Sequence, residues 1–550
     1  MRRFKILLVF FISVLSGFSA AGQSYFWVGF TDKKDTPYSL AFPEDFLSDR
    51  AIERRIKQNI AIDSLDLPPN PEYIQQVLNL GASYVHSSKW LNGVTVFTKN
   101  DSFRVLAVRL PFVREVVFTK PGSTRKSAID KFADPMSPKE SLEIDTLLYG
   151  SSVYQVGQLN GQFLHNQDFK GSDIHIAVLD AGFYKADQYN AFDSLWANNR
   201  ILGVKDFVDK DFDAFEMHYH GMSVLSIMGG NIPGELIGTA PEASYWLLRS
   251  EEVGSEYLIE EDNWVVAAEY ADSVGADIIN SSLGYFQFDD PLMNHTYADM
   301  DGKTTRVTQA ANIAASRGML VFSSAGNEGN NTNGWKYIIA PSDGDSVIGV
   351  GAVNSDGIPA PFTSYGPASD GDVKPNVSAV GWNTTLQLRN GTIGFSNGTS
   401  FSSPVMAGAA ACLWQANPEA TASHVKSAIE QSANLYNHPD SLLGYGIPDM
   451  KLADQILKTS LVERWEDGGD WLVYPNPMND YLMLQKKTSV VADEIELAFY
   501  TLDGRLIRKN IKPDASKILL NDLSSLPSGI LLLQVVTENA VQTVKILKSF

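Results

Sequence analysis

Four polar residues that could cooperate in acyl transfer stand in separate, distinctive segments of the sequence. Asp180 and Asn327 each follow an apolar run, His220 precedes a glycine and an amphipathic pattern, and Ser400 lies among small residues. Attack of a hydroxyl group on a carbonyl carbon needs a nucleophile, a base, an acid that orients the base, and donors for the oxyanion. The four residues offer one candidate for each role.

The segment around Ser400 predicts a nucleophile at the start of a helix. Gly398 permits a close approach of the backbone, and Pro404 suits the first turn of a helix. The helix dipole and the backbone N–H of Ser400 would favour negative charge on a substrate oxygen. The small residues 407–411 would let the helix lie close to other backbone, which an ordinary serine cap does not explain.

His220 is the candidate base. Gly221 removes side-chain bulk beside the imidazole, and apolar residues recur at helical spacing through Met228, so the ring is predicted at the start of a helix. His218 is the alternative, but it lacks the adjacent glycine and precedes the helical pattern. A single histidine is more often a structural residue than a catalytic base.

Asp180 and Asn327 are the candidate orienting acid and oxyanion donor. Asp180 ends the run Ile-His-Ile-Ala-Val-Leu-Asp and could hold an imidazole in one tautomer, and the Asn327 amide could donate to a developing oxyanion. Each motif alone is also compatible with a plain turn, because Asp and Asn commonly follow strands in loops. The four motifs together are much more specific than any one of them.

The elements that would position these residues follow a βαβ pattern from about 150 to 460. Short apolar runs predict buried strands, and amphipathic segments between them predict helices. The strands are expected at 174–179, 245–248, 277–280, 319–323 and 347–353, and the helices at 264–274 and 307–317. The pattern predicts an α/β fold in which helices cover both faces of a parallel sheet. Functional groups in such folds collect at the carboxyl ends of strands.

The order Asp, His, Ser along the chain and the motifs around these residues resemble the subtilase family of serine peptidases. The resemblance covers roughly residues 150–455. Its motifs are Leu179-Asp-Ala-Gly, His220-Gly-Met-Ser-Val, Gly238-Thr-Ala-Pro-Glu-Ala, Ile279-Asn-Ser-Ser-Leu-Gly, Ser324-Ala-Gly-Asn-Glu-Gly and Gly398-Thr-Ser-Phe-Ser-Ser-Pro. Two departures, Ala181 after the aspartate and Phe401-Ser402 after the nucleophile, remove no catalytic group.

The resemblance also implies how a peptide substrate would bind. Ser282, Leu283 and Gly284 would pair with an extended peptide, and Ser324, Ala325 and Gly326 would line the pocket for the residue before the scissile bond. Residues 254–256 look like the opposite edge strand and lie in an acidic stretch from 251 to 262. We hypothesise a preference for basic substrate residues. The alternative is that these acids face solvent at a helix start.

The regions on either side of the βαβ pattern suggest two further segments. Residues 23–145 show strand–helix–strand patterns and a polar linker, Lys120–Leu148, and they resemble an inhibitory prodomain with a self-cleavage zone. The subtilisin-like domain would span 146–460. Residues 468–550 read as a β-sandwich and resemble the sorting domain of the type IX secretion system of Bacteroidetes, through Tyr474-Pro-Asn-Pro, Leu502-Asp-Gly and Leu526-Pro-Ser-Gly. A generic β-sandwich is the alternative.

The N-terminus predicts export. Basic residues at positions 2, 3 and 5 precede the apolar run 6–15 and the small residues 19–22, which is the pattern of a signal peptide spanning 1–22. The run is shorter than a membrane span, so a membrane anchor is the weaker interpretation, and no transmembrane segment is expected in the mature protein. A secreted or cell-surface protein, exported through the periplasm, is expected.

Composition limits the partners and cofactors. The net charge of −20 repels phosphate backbones, which argues against nucleic acid as a partner. Cys412 stands alone, so neither an intramolecular disulfide nor a thiolate cluster can form. The predicted chemistry requires no cofactor. Structural calcium is suggested by the family resemblance, and Asp299-Met-Asp-Gly-Lys is a fragment of a calcium loop without its remaining ligands. The metal ligands are therefore left open.

The sequence thus predicts a secreted serine endopeptidase that acts on protein or peptide substrates, is inhibited by its own prodomain and is carried by the type IX machinery. A catalytically inactive surface adhesin on the same fold is the alternative. A lipase or esterase is disfavoured, because the chain order differs and the Gly-x-Ser-x-Gly elbow is missing. The physiological substrate, the maturation sites and the oligomeric state are not predicted.

Overall fold

The structure is a computed structural model of the 550-residue chain. It describes residues 23–122, 131–132, 148–209, 213–332, 334–464, 471–474, 478, 481–486, 494–501, 504–513, 515–537 and 541–548. The predicted signal peptide at 1–22 and most of the linker at 120–148 lie outside the described residues. So do parts of two of the C-terminal motifs, at 475–477 and 502–503.

The N-terminal elements form a small α+β unit around one sheet. They are β1 (Ser24–Phe30), α1 (Asp49–Lys57), α2 (Pro71–Leu78), β2 (Ala82–Ser88), β3 (Gly93–Thr98), α3 (Phe103–Ala107) and β4 (Val113–Pro121). The sheet is antiparallel with the order β2-β3-β1-β4. Its apolar face packs on α2 and α3 through a core that includes Val28, Val77 and Phe103. The strand–helix–strand prediction for this region is confirmed, and β1 is an additional strand.

The central elements build the parallel sheet. They are α4 (Val153–Gln158), α5 (Gln162–His165), β5 (His175–Asp180), α6 (Asp193–Ala197), β6 (Ile201–Asp206), α7 (His220–Gly229), β7 (Asn231–Ile232), β8 (Leu236–Ile237), β9 (Ser244–Arg249), α8 (Ile259–Ser273), β10 (Ile278–Ser281), α9 (Arg306–Ser316), β11 (Leu320–Ser324), β12 (Ile348–Val353), β13 (Val377–Val380), β14 (Thr384–Gln387), β15 (Ile393–Ser396), α10 (Thr399–Ala416), α11 (Ala422–Gln431) and α12 (Met450–Arg464). Seven strands pair in the order β13-β12-β11-β10-β5-β9-β6, all parallel.

Helices cover both faces of this sheet, as predicted. Ile176 and Val178 of β5 pack in the core that α7 and α10 share, whereas Ala177 and Leu179 pack in the core that α8 and α9 share. Successive side chains of a strand point to opposite faces, so the central strands are largely apolar on both. Buried polar residues such as Asn280 and Ser281 occur toward the carboxyl ends. This is why most of each strand appears in the sequence as an apolar run.

The C-terminal elements form a β-sandwich. They are β16 (Trp471–Tyr474), β17 (Leu482–Lys486), β18 (Glu494–Thr501), β19 (Leu506–Pro513), β20 (Lys517–Leu520), β21 (Gly529–Val536) and β22 (Val541–Lys548). One sheet has the order β16-β17-β20 and the other β19-β18-β21-β22. Alternate side chains of both sheets share one core, for example Leu484 and Leu533.

The N-terminal unit docks on α8 through buried polar contacts. Asp272 of α8 accepts from three N-terminal cations, at 2.5 Å from Arg54, 2.9 Å from Arg55 and 2.8 Å from Lys89. Glu269, one turn earlier, accepts from the backbone amides of Lys89 and Trp90. A buried charge is tolerated only when it is paired and hydrogen-bonded, and these contacts meet that requirement.

Within the part of the chain that the structure describes, no helix is both long and apolar enough to cross a membrane.

Candidate active site

Asp180 and His220 form a buried hydrogen-bonded pair at the carboxyl end of the central strand. Asp180 is the last residue of β5, and its Oδ1 accepts from His220 Nδ1 at 2.8 Å and from the Ala181 amide at 2.7 Å. The exposed fractions are 0% for Asp180 and 2% for His220, the first residue of α7. The carboxylate therefore fixes the ring orientation and places the proton of the neutral imidazole on Nδ1.

Gly221 explains how the two residues approach so closely. A Cβ atom at this position would lie 2.7 Å from Asp180 Cβ and 2.5 Å from the carbonyl oxygen of Gly182. Only glycine fits between α7 and the loop after β5. The glycine next to the histidine is thus required by the packing of the pair.

Ser400 is the second residue of α10, in the same cleft. Gly398, with φ of +153°, precedes the helix, and Ser400 Oγ donates to the carbonyl oxygen of Ser282 at 3.3 Å. The ring of Phe401 lies 5.7 Å from the ring of His220, centroid to centroid. The first turn of α10 and the imidazole are therefore neighbours.

Pro404 lies in the second turn of α10, and its predicted place in the first turn is wrong. Proline has no N–H to donate to the carbonyl four residues earlier, which is that of Ser400. Ser282 Oγ supplies the missing donor at 2.7 Å. The end of β10 thereby holds the helix turn that carries Ser400.

The Asn327 side chain is oriented by the residue before Ser400. Asn327 Oδ1 accepts from both the amide and the hydroxyl of Thr399, each at 2.9 Å. Because the amide N–H of Thr399 needs an acceptor, the side-chain oxygen of Asn327 is assigned to this contact and its NH₂ is the group left for another partner. Asn327 itself is exposed.

The residues predicted to bind substrate follow two adjacent strands. Ser282, Leu283 and Gly284 come directly after β10, and Ser324, Ala325 and Gly326 span the end of β11. Ser324 Oγ lies 3.5 Å from the carbonyl oxygen of Leu283, so the two segments adjoin. Residues 254–256, predicted as an edge strand, form a loop between β9 and α8 instead.

The acidic stretch after β9 is not solvent-facing. Glu251, Glu260, Glu261 and Asp262 are each at most 2% exposed. Glu261 pairs with His295 at 2.5 Å and Asp262 with Arg306 at 2.9 Å. The interpretation of these acids as a solvated helix start is therefore wrong.

Three of the acids converge on one cation from the linker. Lys131 Nζ contacts Glu251, lies 2.6 Å from Glu256 and 2.8 Å from Glu260, and donates to the Ser255 carbonyl oxygen at 3.2 Å. The next residue, Phe132, places its ring 4.3 Å from the ring of His220. The linker thus enters the cleft beside the candidate base.

The suggested calcium-loop fragment does not fit a metal site. Asp299 Oδ2 accepts from the amide and hydroxyl of Thr296. Both oxygens of Asp301 accept from its own turn, through the amides of Lys303 and Thr304 and the Thr304 hydroxyl. These carboxylates cap local turns and so are engaged by N–H and O–H donors. Cys412 is buried, and burial raises the pKa of its thiol, as expected for a packing residue.

Comparison with known proteins agrees with this arrangement. Residues 171–446, half of the chain, match the profile of the Subtilase family. The chain belongs to the subtilase family. Residues 25–132 match the Peptidase S8 propeptide domain of Bacteroidota, and residues 472–549 match the Secretion system C-terminal sorting domain. This subtilase therefore carries a propeptide and a C-terminal signal for export, and its resemblance to all three families is confirmed.

The relatives of this subtilase are bacterial peptidases. It is 30% identical over 314 residues to Subtilisin NAT of Bacillus subtilis subsp. natto, an alignment that covers 56% of this chain and 72% of the relative. It is 29% identical over 311 residues to Subtilisin of Bacillus pumilus, covering 56% and 99%. It is 30% identical over 298 residues to the Thermophilic serine proteinase of Bacillus sp. (strain AK1), covering 53% and 65%.

Three residues in the cleft were not singled out from the sequence. Thr399 stands inside the nucleophile motif, yet nothing local shows that it binds Asn327. Lys131 and Phe132 belong to a polar linker, and the only available signal was the charge complementarity between that linker and the acidic stretch.

Proposed function

We propose that this subtilase is a secreted serine endopeptidase that hydrolyses peptide bonds through an acyl-enzyme. Ser400 attacks the scissile carbonyl, His220 takes its proton and passes it to the leaving amine, and Asp180 stabilises the imidazolium. The observation that carries the proposal is the buried 2.8 Å hydrogen bond between Asp180 and His220 beside the first turn of α10.

Two donors are proposed to hold the oxyanion. The Asn327 NH₂ group is available because Thr399 engages its oxygen, and the amide of Ser400 lies at the N-terminus of an 18-residue helix. Donors preorganised around the developing charge lower the barrier without reorganisation during the reaction. These groups belong to the chain, so the proposed reaction requires no cofactor.

The substrate is proposed to bind as an extended peptide. Ser282, Leu283 and Gly284 would pair with its backbone, while Ser324, Ala325 and Gly326 would line the pocket for the residue before the scissile bond. Support comes from the position of both segments at the carboxyl ends of β10 and β11, next to Ser400.

The N-terminal unit is proposed to act as an inhibitor until it is cleaved off. Its cations hold Asp272 in a buried network, and the linker places Lys131 and Phe132 in the cleft where a substrate would bind. Cleavage within the linker would then release the active enzyme. The proposed boundaries are a prodomain with its linker at 23–145, a peptidase domain at 146–460 and a sorting domain at 468–550.

Export is proposed to use both ends of the chain. The pattern at 1–22 would direct the precursor into the periplasm, and the type IX machinery would carry it across the outer membrane by its C-terminal sorting domain. The mature protease would act at the cell surface or outside the cell.

Two measurements on the secreted protein test the proposal. The Ser400→Ala variant is expected to lose both turnover of an unfolded protein substrate and labelling by a fluorophosphonate probe, because the alcohol is the attacking group. Ser402→Ala is the matched control, since that hydroxyl bonds the Thr399 carbonyl oxygen within the helix and should leave labelling intact. A folded mature protein that fails to label would favour the inactive adhesin. Cleavage of a long-chain ester but of no peptide would favour a lipase.

A further inference from the structure

Glu251, Glu256 and Glu260 form a compact pocket, here called the acidic pocket. One carboxylate oxygen of each lies within 4.8 Å of the others. Glu251 is additionally bonded by the Tyr285 hydroxyl at 2.8 Å, and Glu260 by the amide of Tyr257 at 3.1 Å. The side chains of Glu251 and Glu260 are thus held in place by their surroundings, and all three carboxylates converge on one spot.

That spot is filled by an ammonium group from a distant part of the chain. Lys131 Nζ reaches all three carboxylates and the carbonyl oxygen of Ser255. An ammonium group has three N–H donors around a point charge, which suits three convergent carboxylates, whereas the planar guanidinium of arginine suits a flat bidentate partner. The pocket therefore fits lysine better than arginine.

When desolvated, the three carboxylates of the pocket need a cation or protons to offset their mutual repulsion. Three carboxylates face a single lysine, and both Glu251 and Glu260 are at most 2% exposed. Burial and mutual repulsion raise the pKa of Glu256 to about 8 and the pKa of Glu260 well above its usual range, even with the lysine present. Removal of the lysine would leave the carboxylates to take up protons or another cation.

The acidic pocket adjoins the segment that we propose to pair with the substrate. It is built by the loop 251–256 and α8 on one side and is linked through Tyr285 to the segment Ser282–Gly284 on the other. Lys131 occupies it while the ring of Phe132 lies 4.3 Å from the ring of His220, tilted by 34°. Lys131 precedes Phe132, the residue beside the candidate base. A substrate seated in the same way would therefore carry its lysine N-terminal to the residue next to His220, on the N-terminal side of the scissile bond.

We propose that the acidic pocket is a substrate subsite that selects a lysine side chain on the N-terminal side of the scissile bond, and that Lys131 occupies it in the precursor as a substrate lysine does in the mature enzyme. The proposal rests on the proposed peptidase function and names the substrate class of the same cleft: polypeptides that contain lysine.

The experiment compares peptides that share one sequence and carry lysine, arginine or norleucine in turn at each position before the scissile bond. Self-processed protease from the full-length chain is used. At one position the kcat/KM for lysine should exceed that for the uncharged norleucine at least about 30-fold, as expected when one partner of a buried charge pair is absent. Arginine should lie between them. This comparison needs no variant.

A substitution in the acidic pocket tests whether the pocket causes the preference for lysine. Glu260→Gln should lower the lysine-to-norleucine ratio about tenfold or more, because the side chain at this position can no longer carry the negative charge that pairs with the lysine. The ratio corrects for any general change in activity. Glu252→Gln is the matched control, since Glu252 pairs with Lys120 at 2.5 Å rather than with Lys131, and its ratio should not change.

Three results would overturn the inference. Cleavage of all peptides without any preference for lysine would show that the acidic pocket does not select a substrate side chain. An unchanged ratio in Glu260→Gln would place the preference elsewhere. A preference that disappears on addition of excess calcium would make the pocket a metal site. Absence of cleavage of every peptide would instead contradict the peptidase function itself, so the two failures are distinguishable.

Discussion

Asn327 Oδ1 accepts hydrogen bonds from both the amide and the hydroxyl of Thr399, the residue directly before Ser400. The candidate oxyanion donor and the candidate nucleophile are therefore held by one residue. A shift of the first turn of α10 would move both groups together, which keeps their spacing constant. Such preorganisation is what an oxyanion site needs.

Asn327→Asp should lower kcat by about 10²- to 10³-fold with little change in KM, the range found for an oxyanion donor in subtilisin. The aspartate can still accept from Thr399, but it replaces the NH₂ donor by negative charge. Steady-state kinetics with a peptide substrate measures the effect. If KM rose by the same factor while kcat stayed unchanged, Asn327 would contribute to substrate binding and not specifically to the transition state.

Thr399 should influence the rate through the orientation of Asn327. Thr399→Val removes the hydroxyl but keeps the amide contact, so we expect a smaller fall in kcat than for Asn327→Asp. Thr399→Ser is the matched control, because it restores the hydroxyl and should recover the rate. A fall in kcat for Thr399→Ser but not for Thr399→Val would indicate that packing of the methyl group, and not the hydrogen bond, matters at this position.

Gly221→Ala should separate Asp180 from His220. The added Cβ would lie 2.7 Å from Asp180 Cβ, which is closer than real Cβ atoms come, so one of the two elements must move. A displacement of about 1 Å in a catalytic group costs roughly 10²-fold in rate. Gly157→Ala is the control, since its Cβ would meet nothing within 4 Å. Unchanged kcat in Gly221→Ala would contradict the tight pairing.

Docking of the N-terminal unit should weaken as the pH rises. Burial raises the pKa of Asp262 from 3.8 to about 6, and the charged groups near it are Arg306, Glu261 and Glu115. Thr95 of the N-terminal unit donates to its Oδ2 at 3.1 Å. A carboxyl group whose pKa is higher in the docked state stabilises docking fully below its undocked pKa. This stabilisation is lost as the pH rises through the pKa of the docked state.

The stabilisation of docking by protonated Asp262 is therefore lost in a window between about pH 4 and pH 6. Burial raises the pKa of Glu269 too, which acts in the same direction. Asp272 acts in the opposite direction: its cations lower its pKa, so its contribution is complete above the undocked pKa and is lost as the pH falls below the window. Across the window the free energy of docking should fall by up to about 3 kcal/mol, the value that corresponds to the rise of the Asp262 pKa from 3.8 to about 6.

Urea titration of the full-length Ser400→Ala chain at several pH values, followed by tryptophan fluorescence, measures this docking. Asp262→Asn is expected to flatten the dependence on pH. A midpoint that rises with pH over the same window would contradict the assignment.

The sequence predicts the sheet well where strands are buried on both faces. The apolar run that ends at Asp180 needs no tertiary information to be recognised, since a strand covered by helices on both sides has no polar face. The sequence does not predict the edge strand Ile201–Asp206, because its residues are half-buried or exposed and form no apolar run.

The long-range relationships could not be predicted. The burial of the acidic stretch depends on a separate unit that covers α8 and on Lys131, which lies 120 residues before Glu251. The helix position of Pro404 depends on Ser282, which replaces the missing donor from another strand. Local patterns gave the candidate groups, whereas their partners are set by the way the chain folds back on itself.

The most direct test of the central claim is to map the residue that a fluorophosphonate modifies in the mature protein. Mass spectrometry of the digested adduct should find the phosphonyl group on Ser400, and His220→Ala should slow the labelling because the hydroxyl loses its base. An adduct on any other residue, or none on a folded mature protein, would contradict the proposed mechanism.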